Sequence, residues 1–290
     1  MNILKLGIPK GTMQESTINL FKKAGYNITV SGRSYYPYID DDEIEVMLLR
    51  PQDMALYVEE GVIDVGLAGR DWVRECRADV LEIAAFTYSK QTTQPARWVL
   101  AVAEDSPIQS VADLDGKVIF TELVEATKAY LADNGVNASV KFSHGATEVK
   151  IPHLCDAIVE ITETGSSLRA NRLKIIDVVM ESVTTFIANK ASWNDEWKRT
   201  KAENMCLLLS GALAAENKVG LKMNVAAEDL QSLLAILPAM KTPTISSLSQ
   251  DGWHALETII DEHIVRDLIP ELRRVGAEAI IEYPLNKVIP

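Results

Sequence analysis

The sequence predicts an α/β protein of two lobes followed by a small α+β unit. Three observations carry this. From ILKLGIP to AIVEI, short apolar runs alternate with segments of helical period, the rhythm of parallel strands joined by helical crossovers. After a long helix-period stretch the tail reads β-α-β-β-α-β, the order of a ferredoxin-like sandwich. The 290 residues, 47% of them hydrophobic, can bury two or three cores without disulfides.

ILKLGIP is a short strand, and GTMQESTINLFKKAG a helix whose apolar face includes Met13, Thr17, Leu20 and Phe21 and which stops near Gly25. IEVMLLR, PQDMALYVEEG and IDVGLAG repeat the cycle as strand, helix and strand, with Pro51 in the first helical turn. ARWVLAVAE opens a second series after Pro95, and KVIFTELVEATKAYLADNG supplies a strand, a helix and a glycine stop. Residues 138–142, a helix-compatible TEVKIPHLC and AIVEI complete that lobe. The lobes are expected to join near Thr92 to Arg97 and again near Glu181 to Thr185, a double crossing that leaves a cleft between them. WNDEWKRTKAENMCLLLSGALAAEN reads as one long helix despite Gly211. In the tail, VGLKMNV, AEDLQSLLAIL, PTISSLS, a DGW turn, WHALETII, EHIVRDLIPELRRVG and AEAIIEYP follow in order, and Pro270 is expected to kink or break the last helix. The boundaries are 1–94 with 183–216 for the first lobe, 95–182 for the second and 217–290 for the tail unit.

A net charge of −12 argues against sequence-independent contact with nucleic acid, while leaving room for a small anionic substrate held by local donors. Cys76, Cys155 and Cys206 are few and scattered, and His144, His153, His254 and His263 have no zinc-ligand spacing. No basic segment precedes an apolar run at the N-terminus and no apolar run is long enough to span a bilayer, so a cytoplasmic location without membrane contact is expected.

The chemistry concentrates in DAIVEITETGSSLRANRL, where a strand gives way to a helix. Gly165 would let the backbone approach a ligand, Thr164, Ser166 and Ser167 offer hydroxyls, and the first helical N–H groups lack intrahelical partners. That suits a terminal phosphate. Asp156 and Glu160 would repel it, and fit instead as acceptors for sugar hydroxyls, with Mg²⁺ neutralising a neighbouring pyrophosphate. A phosphorylated sugar reconciles the two, although ordinary helix capping by Thr164 or Ser166 beside solvated acids explains the same residues. In IPKGTM, Lys10 and Gly11 lie between strand and helix, where an ammonium and backbone donors meet a second anion, or where Lys10 is only a solubilising charge. Arg50 ends the next strand with a donor fork for phosphate or adenine, unless it pairs with Asp53. In GLAGRDW, Gly69 reads as a turn and Asp71 as the cap of the helix holding Trp72 and Val73.

These segments together resemble ATP phosphoribosyltransferase in its long form with a C-terminal regulatory domain. IPKGTM, RPQDM, VGLAGRDW and DAIVEITETGSSLRANRL match in order, followed by LKMNV, PTISSL, DGW, ETII, LIPELRRVGA and YPLNKVI, across essentially the whole chain. The resemblance implies a two-lobed, periplasmic-binding-protein-like catalytic unit and an ACT/PII-like tail. It implies transfer of the 5-phosphoribosyl group from phosphoribosyl pyrophosphate to N1 of ATP as the first step of histidine biosynthesis, by direct displacement through a loose, oxocarbenium-like transition state. It places Asp156 and Glu160 on the ribose hydroxyls, and Thr162, Glu163, Thr164, Gly165, Ser166, Ser167 and Leu168 around the 5-phosphate. Lys10 and Gly11 fall at the pyrophosphate and nucleotide mouth, with Arg50 nearby. Ser167 departs from the threonine common in the family but keeps the hydroxyl. Mg²⁺ is expected mainly through the substrate's pyrophosphate.

For the tail, the resemblance implies feedback inhibition by histidine and a homo-hexamer built from dimers, with no separate regulatory subunit. Ser246, Ser247, Leu248 and Asp251 would then line the effector pocket, or Ser246, Ser247 and Asp251 simply make a hairpin turn with Trp253 in the core. Two other classes remain open on the residues: a two-lobed solute-binding protein using the same cleft without catalysis, and an adaptor subunit retaining the enzyme's architecture.

Overall fold

The computed structural model describes residues 2–32, 34–88, 95–238 and 242–289. Internal contacts divide the chain into one unit of Met1–Lys22 with Tyr26–Cys206 and another of Lys23–Gly25 with Leu207–Pro290.

The first unit begins with β1 (Leu4–Pro9) and α1 (Gln14–Ala24), then a small ladder of β2 (Ile28–Thr29) and β3 (Tyr38–Ile39). β4 (Ile44–Leu49), α2 (Pro51–Glu59), β5 (Val65–Gly69), α3 (Arg70–Cys76) and β6 (Leu81–Phe86) follow. Next come β7 (Ala96–Ala103), β8 (Val118–Thr121), α4 (Val124–Asp133), β9 (Ser139–Phe142), β10 (Ala157–Thr162), α5 (Ser166–Ala170) and β11 (Leu173–Ser182). Two mixed sheets result, in strand orders β4-β1-β5-β12-β6 and β11-β7-β10-β8-β9, where β12 (Thr184–Ala188) returns the chain to the first sheet. β1, flanked by parallel β4 and β5, is a near-continuous apolar run because both faces are covered: five of its six residues are buried, whereas the edge strand β9 is largely exposed. Parallel pairing aligns the carboxyl ends of β1, β4 and β5 on one rim, and those of β8, β9 and β10 on another.

Buried polar contacts bring the two rims together. Asp71, just past β5 and 4% exposed, accepts the Trp98 indole N–H at 2.7 Å. Trp98 in β7 pairs with Ile161 near the end of β10, and its ring stands edge-on to Trp72 at 6.5 Å. Asp71 is therefore not the helix cap expected of it: Gly69 occupies the cap position, and the carboxylate is spent on Trp98 and on its neighbour's N–H at Trp72. Alongside, Glu75 of α3 accepts the N–H groups of Glu125 and Ala126 at 3.1 and 3.0 Å, capping the first turn of α4 from outside its own helix. Replacing Glu75 with alanine strips that cap, and the urea midpoint should fall by the equivalent of ~1–2 kcal/mol. An unchanged midpoint would show that water replaces the carboxylate without loss.

Several local expectations change. The helix read in TEVKIPHLC is only a 3-10 turn over Thr147–Lys150, because Pro152 removes the N–H a longer helix needs. The long helix read from Trp193 is one helix, α7 (Glu196–Ala214), and a separate short helix, α6 (Lys190–Trp193), ends where it was expected to begin. Asn189 caps α6 through Ala191 and Ser192, and Asp195 starts the next helix by accepting the Lys198 N–H at 3.0 Å. Of the two interlobe crossings, the one at Glu181 to Thr185 is Val183 between β11 and β12, while Thr92 lies outside the described residues.

The second unit holds β13 (Lys218–Ala226), α8 (Leu230–Ile236), β14 (Thr244–Ser247), β15 (Trp253–Asp261), α9 (Glu262–Arg274) and β16 (Glu278–Pro284). Its sheet is antiparallel in the order β14-β15-β13-β16. Val219, Leu221, Met223 and Val225 alternate into one face of β13 and pack with Leu233 of α8 and Val265, Leu268 and Leu272 of α9. α9 runs unbroken past Pro270: the buried stripe Val265, Leu268 and Leu272 spans that point, and the proline sits on the exposed side. Trp253 is half-buried at the start of β15, after a turn in which Gly252 takes φ +78°.

Candidate active site

On the first rim, Pro9 pairs with Leu49, so Lys10 and Arg50 emerge side by side from adjacent parallel strands. The Lys10 N–H donates to the Leu49 carbonyl at 2.7 Å, and the Lys10 ammonium stands 3.9 Å from the centroid of the Tyr35 ring. That cation–π contact restrains an otherwise loose side chain. Tyr35 is placed by its own carbonyl, which accepts the Leu48 N–H at 2.8 Å. Gly11 takes φ +103° with open space where a Cβ would stand. Arg70, at the end of β5, is engaged with Glu82 at 2.9 Å.

On the second rim, the loop after β10 is organised by its own hydroxyls. Thr162 Oγ1 accepts the Gly165 N–H at 2.7 Å, Thr164 Oγ1 donates to Ser166 Oγ at 3.0 Å, and Gly165 turns the chain with φ +72° into α5. Leu168 is 1% exposed and anchors the loop in an apolar cluster with Ile158 and Leu173. Thr164, Ser166 and Ser167 are exposed around this turn, and Glu163 is half-buried between Thr162 and Thr164. Ser167 Oγ donates to Glu148 at 2.6 Å.

Glu160 is half-buried two residues before the loop. Burial pushes its carboxyl above the usual range; hydrogen bonds from the Thr147 hydroxyl and the Ile161 N–H oppose this, and the charges of Glu148 and Glu122 add to it. A carboxylate held this way gains most from new hydroxyl donors.

Asp156 is not brought to this group. It precedes the first residue of β10, four residues from Glu160 and so ~13 Å away along the strand. There it accepts the Val118 N–H at 2.9 Å and faces Lys117 at 3.9 Å, tying the amino end of β10 to β8. One sugar cannot span that distance, so the two acids do not form a pair. The pattern D-x-x-x-E hid this, because spacing along a sequence says nothing about strand extension.

Sequence reading also passed over Thr147, Glu148 and Lys150, which it placed only in the helix-compatible TEVKIPHLC, and Tyr35 under Lys10. In the second unit, Ser246 and Ser247 are exposed on the edge strand β14, with Leu248 and Asp251 in the turn towards β15. Cys155 is buried and its thiol is pushed up to about 11, chiefly by burial, so it supplies no thiolate at neutral pH. Among the described residues there is no cluster of three or more His, Cys, Asp or Glu side chains that could hold a metal ion, and no helix is long and apolar enough to cross a membrane.

Two family descriptions match the chain, ATP phosphoribosyltransferase over residues 50–211 and the HisG C-terminal domain over residues 215–287. The ATP phosphoribosyltransferase of Chlorobium phaeobacteroides is 60% identical over 288 residues, covering 99% of this chain and 98% of the relative. That of Pelotomaculum thermopropionicum is 58% identical over 287 residues, covering 99% of both. Among solved structures, the ATP phosphoribosyl transferase (HisG:HisZ) complex from Thermotoga maritima aligns with TM-score 0.61 and 27% identity, over 72% of this chain and 99% of that one. The chain belongs to the ATP phosphoribosyltransferase family, in the long form that carries the C-terminal domain.

Proposed function

We propose that the two rims hold the two ends of one displacement. The reaction is the transfer of the 5-phosphoribosyl group from phosphoribosyl pyrophosphate to N1 of ATP, giving phosphoribosyl-ATP and pyrophosphate. The observation that carries the assignment of roles is the Gly165 turn, ringed by the hydroxyls of Thr162, Thr164, Ser166 and Ser167 and preceded by half-buried Glu160. The turn takes the 5-phosphate, and Glu160 takes the ribose hydroxyls. The sugar is then fixed through both groups, which lowers the entropy still to be lost at the transition state.

Across the cleft, Lys10, Gly11 and Arg50 meet the pyrophosphate and the nucleotide. As the C1–O bond breaks, its electron pair leaves with pyrophosphate, and the lone pair of N1 forms the new C1–N1 bond from the opposite face. Lys10 stabilises the charge growing on the leaving group. Glu160 holds C1 on the line between the two. N1 is unprotonated at neutral pH and needs no general base. Mg²⁺ prefers phosphate oxygens, so it belongs to the substrate complex, where it would add charge neutralisation beside Lys10 and Arg50. Asp156 drops out of the sugar site and keeps its place between β8 and β10.

The same reading divides the chain into a lobe of residues 1–94 and 183–216, a lobe of 95–182 and a tail domain of 217–290. The β-α-β-β-α-β order and the strand order β14-β15-β13-β16 support a ferredoxin-like, ACT/PII-like domain. That domain senses histidine near Ser246, Ser247, Leu248 and Asp251, within a homo-hexamer of dimers.

The test mixes the full chain with ATP, phosphoribosyl pyrophosphate and Mg²⁺ and follows the absorbance of phosphoribosyl-ATP, with and without histidine. Turnover requiring both substrates and slowed by histidine is expected. Tight binding of either ligand without turnover would favour the solute-binding account, and turnover indifferent to histidine would remove the effector site from the tail.

A further inference from the structure

One buried hydrogen bond ties the ends of the two sheets together. Both oxygens of the Asp71 carboxylate are engaged, one by the Trp72 N–H at 2.9 Å and the other by the Trp98 indole N–H at 2.7 Å, and Asp71 and Trp98 are 4% and 2% exposed. Asp71 follows β5, which lies beside β1, the strand that ends one residue before Lys10. Its backbone is fixed as well: the Arg70 N–H donates to the Val183 carbonyl at 3.0 Å, and the Asp71 N–H to the Ser182 hydroxyl at 3.2 Å. Trp98 lies in β7 between β10 and β11, opposite Ile161 on one side and Met180 on the other. Ile161 stands between Glu160 and Thr162. The bond therefore runs from the edge of the Lys10 rim to the stem of the Gly165 loop. Burying a carboxylate against neutral N–H groups costs more than packing apolar groups of the same volume. What the bond adds is direction, since an apolar contact lets two surfaces slide while a hydrogen bond fixes a distance and an angle.

We propose that Asp71 and Trp98 are positioning residues for phosphoribosyl transfer: their hydrogen bond sets the separation of the Gly165 loop from Lys10, and so holds C1 in line between the pyrophosphate and N1 of ATP. This rests on the reading that the loop takes the 5-phosphate and Lys10 the pyrophosphate. Asp71 and Trp98 act through the strands they join and not through contact with substrate. Each rim keeps its own donors whether or not the bond is made, so a ligand that occupies one rim does not depend on it. Phosphoribosyl pyrophosphate reaches from one rim to the other and does depend on it. A shift of ~1 Å between reacting groups costs up to ~10²-fold in rate.

The experiment titrates the full-length enzyme calorimetrically with ribose 5-phosphate and, with Mg²⁺, with pyrophosphate, each of which occupies one rim. Beside these it measures the single-turnover rate of transfer from phosphoribosyl pyrophosphate to ATP, which needs both. Trp98→Phe keeps a ring and deletes the donor. It should lower the rate by ~10-fold to ~10²-fold and leave the two one-rim affinities within about twofold. Asp71→Leu combined with Trp98→Phe leaves no buried carboxylate unpaired, and should regain the urea stability lost in Trp98→Phe without regaining the rate. Val136→Ala, in the same apolar cluster as Trp98, costs stability without touching the bond and should keep the rate. If Trp98→Phe does not fold, the double variant carries the same expectation for rate and affinities. An unchanged rate in Trp98→Phe, a rate that returns with stability in the double variant, or weakened binding of either one-rim ligand overturns the inference. Wild-type rates in both Lys10→Ala and Gly165→Val overturn the reading of the rims, and the inference falls with it. Reduced rates there beside a wild-type rate in Trp98→Phe overturn the inference alone.

Discussion

Replacing Gly165 with valine should lower kcat/KM for phosphoribosyl pyrophosphate by ~10²-fold or more, while ATP binding is kept. Gly165 holds φ +72°, where a side chain costs ~1–2 kcal/mol and a β-branched one is a marked outlier. The added Cβ would also stand 2.9 Å from Arg169 Nη1. That contact is the far end of a flexible side chain and yields cheaply, but its movement gives up the Arg169 bond to the Thr164 carbonyl at 3.0 Å. The backbone therefore relaxes away from the left-handed turn, and the N–H groups that open α5 no longer converge on one point. Leu168 keeps the loop attached to the apolar cluster, so the protein should stay folded. Calorimetric titration with each substrate checks this. Unaltered affinity for phosphoribosyl pyrophosphate would mean that the turn does not approach the phosphate, and Gly165→Ala should fall between the two.

Lys10→Ala should lower kcat by ~10²-fold to ~10³-fold, with a smaller change in KM for phosphoribosyl pyrophosphate. The ammonium is useful in proportion to the charge it faces, and that charge grows on the departing pyrophosphate only as the C1–O bond breaks. Lys10→Arg should recover part of the rate, since a planar fork replaces a compact charge at the end of β1. Tyr35→Leu removes only the ring beneath the ammonium, worth ~0.5–1 kcal/mol at an exposed site, and should cost far less. Single-turnover rates compare the three. A kcat preserved in Lys10→Ala would move leaving-group stabilisation to Arg50 or to Mg²⁺ alone.

Much of the architecture was legible because it rests on local pattern. Apolar runs bounded by Gly and Pro marked β1, β4, β5, β8 and β10, and Pro51 opened α2 where a missing N–H is harmless. The misreadings occurred where a single capping or helix-breaking residue outweighed periodicity. A short helix capped by Asn189 ends at Trp193, where the long helix was read to begin, so that Asp195 starts α7 three residues later than expected, and Pro152 confines residues 147–150 to a turn. The opposite happened at Pro270, where a continuous buried stripe carried the helix past a residue that disfavours it.

The loop proposed for the phosphate and the two cations each sit at the end of their own strand, a placement legible in the covalent sequence alone. Which acid belongs with the loop is not. Asp156 and Glu160 look equivalent in a string of letters, yet an extended strand places them toward opposite ends of β10, and it is the carboxyl end, at Ile161, that lies beside Trp98 and Asp71. Equally hidden was the packing of the turn Thr147–Lys150 against β8 and β10, which brings Glu148 to the Ser167 hydroxyl. Sequence by itself determined the elements and the chemistry available at their ends. Tertiary packing decided which of those groups are close enough to act together, because hydrogen bonds and charge interactions fall off within a few ångströms, a scale that order along the chain does not record.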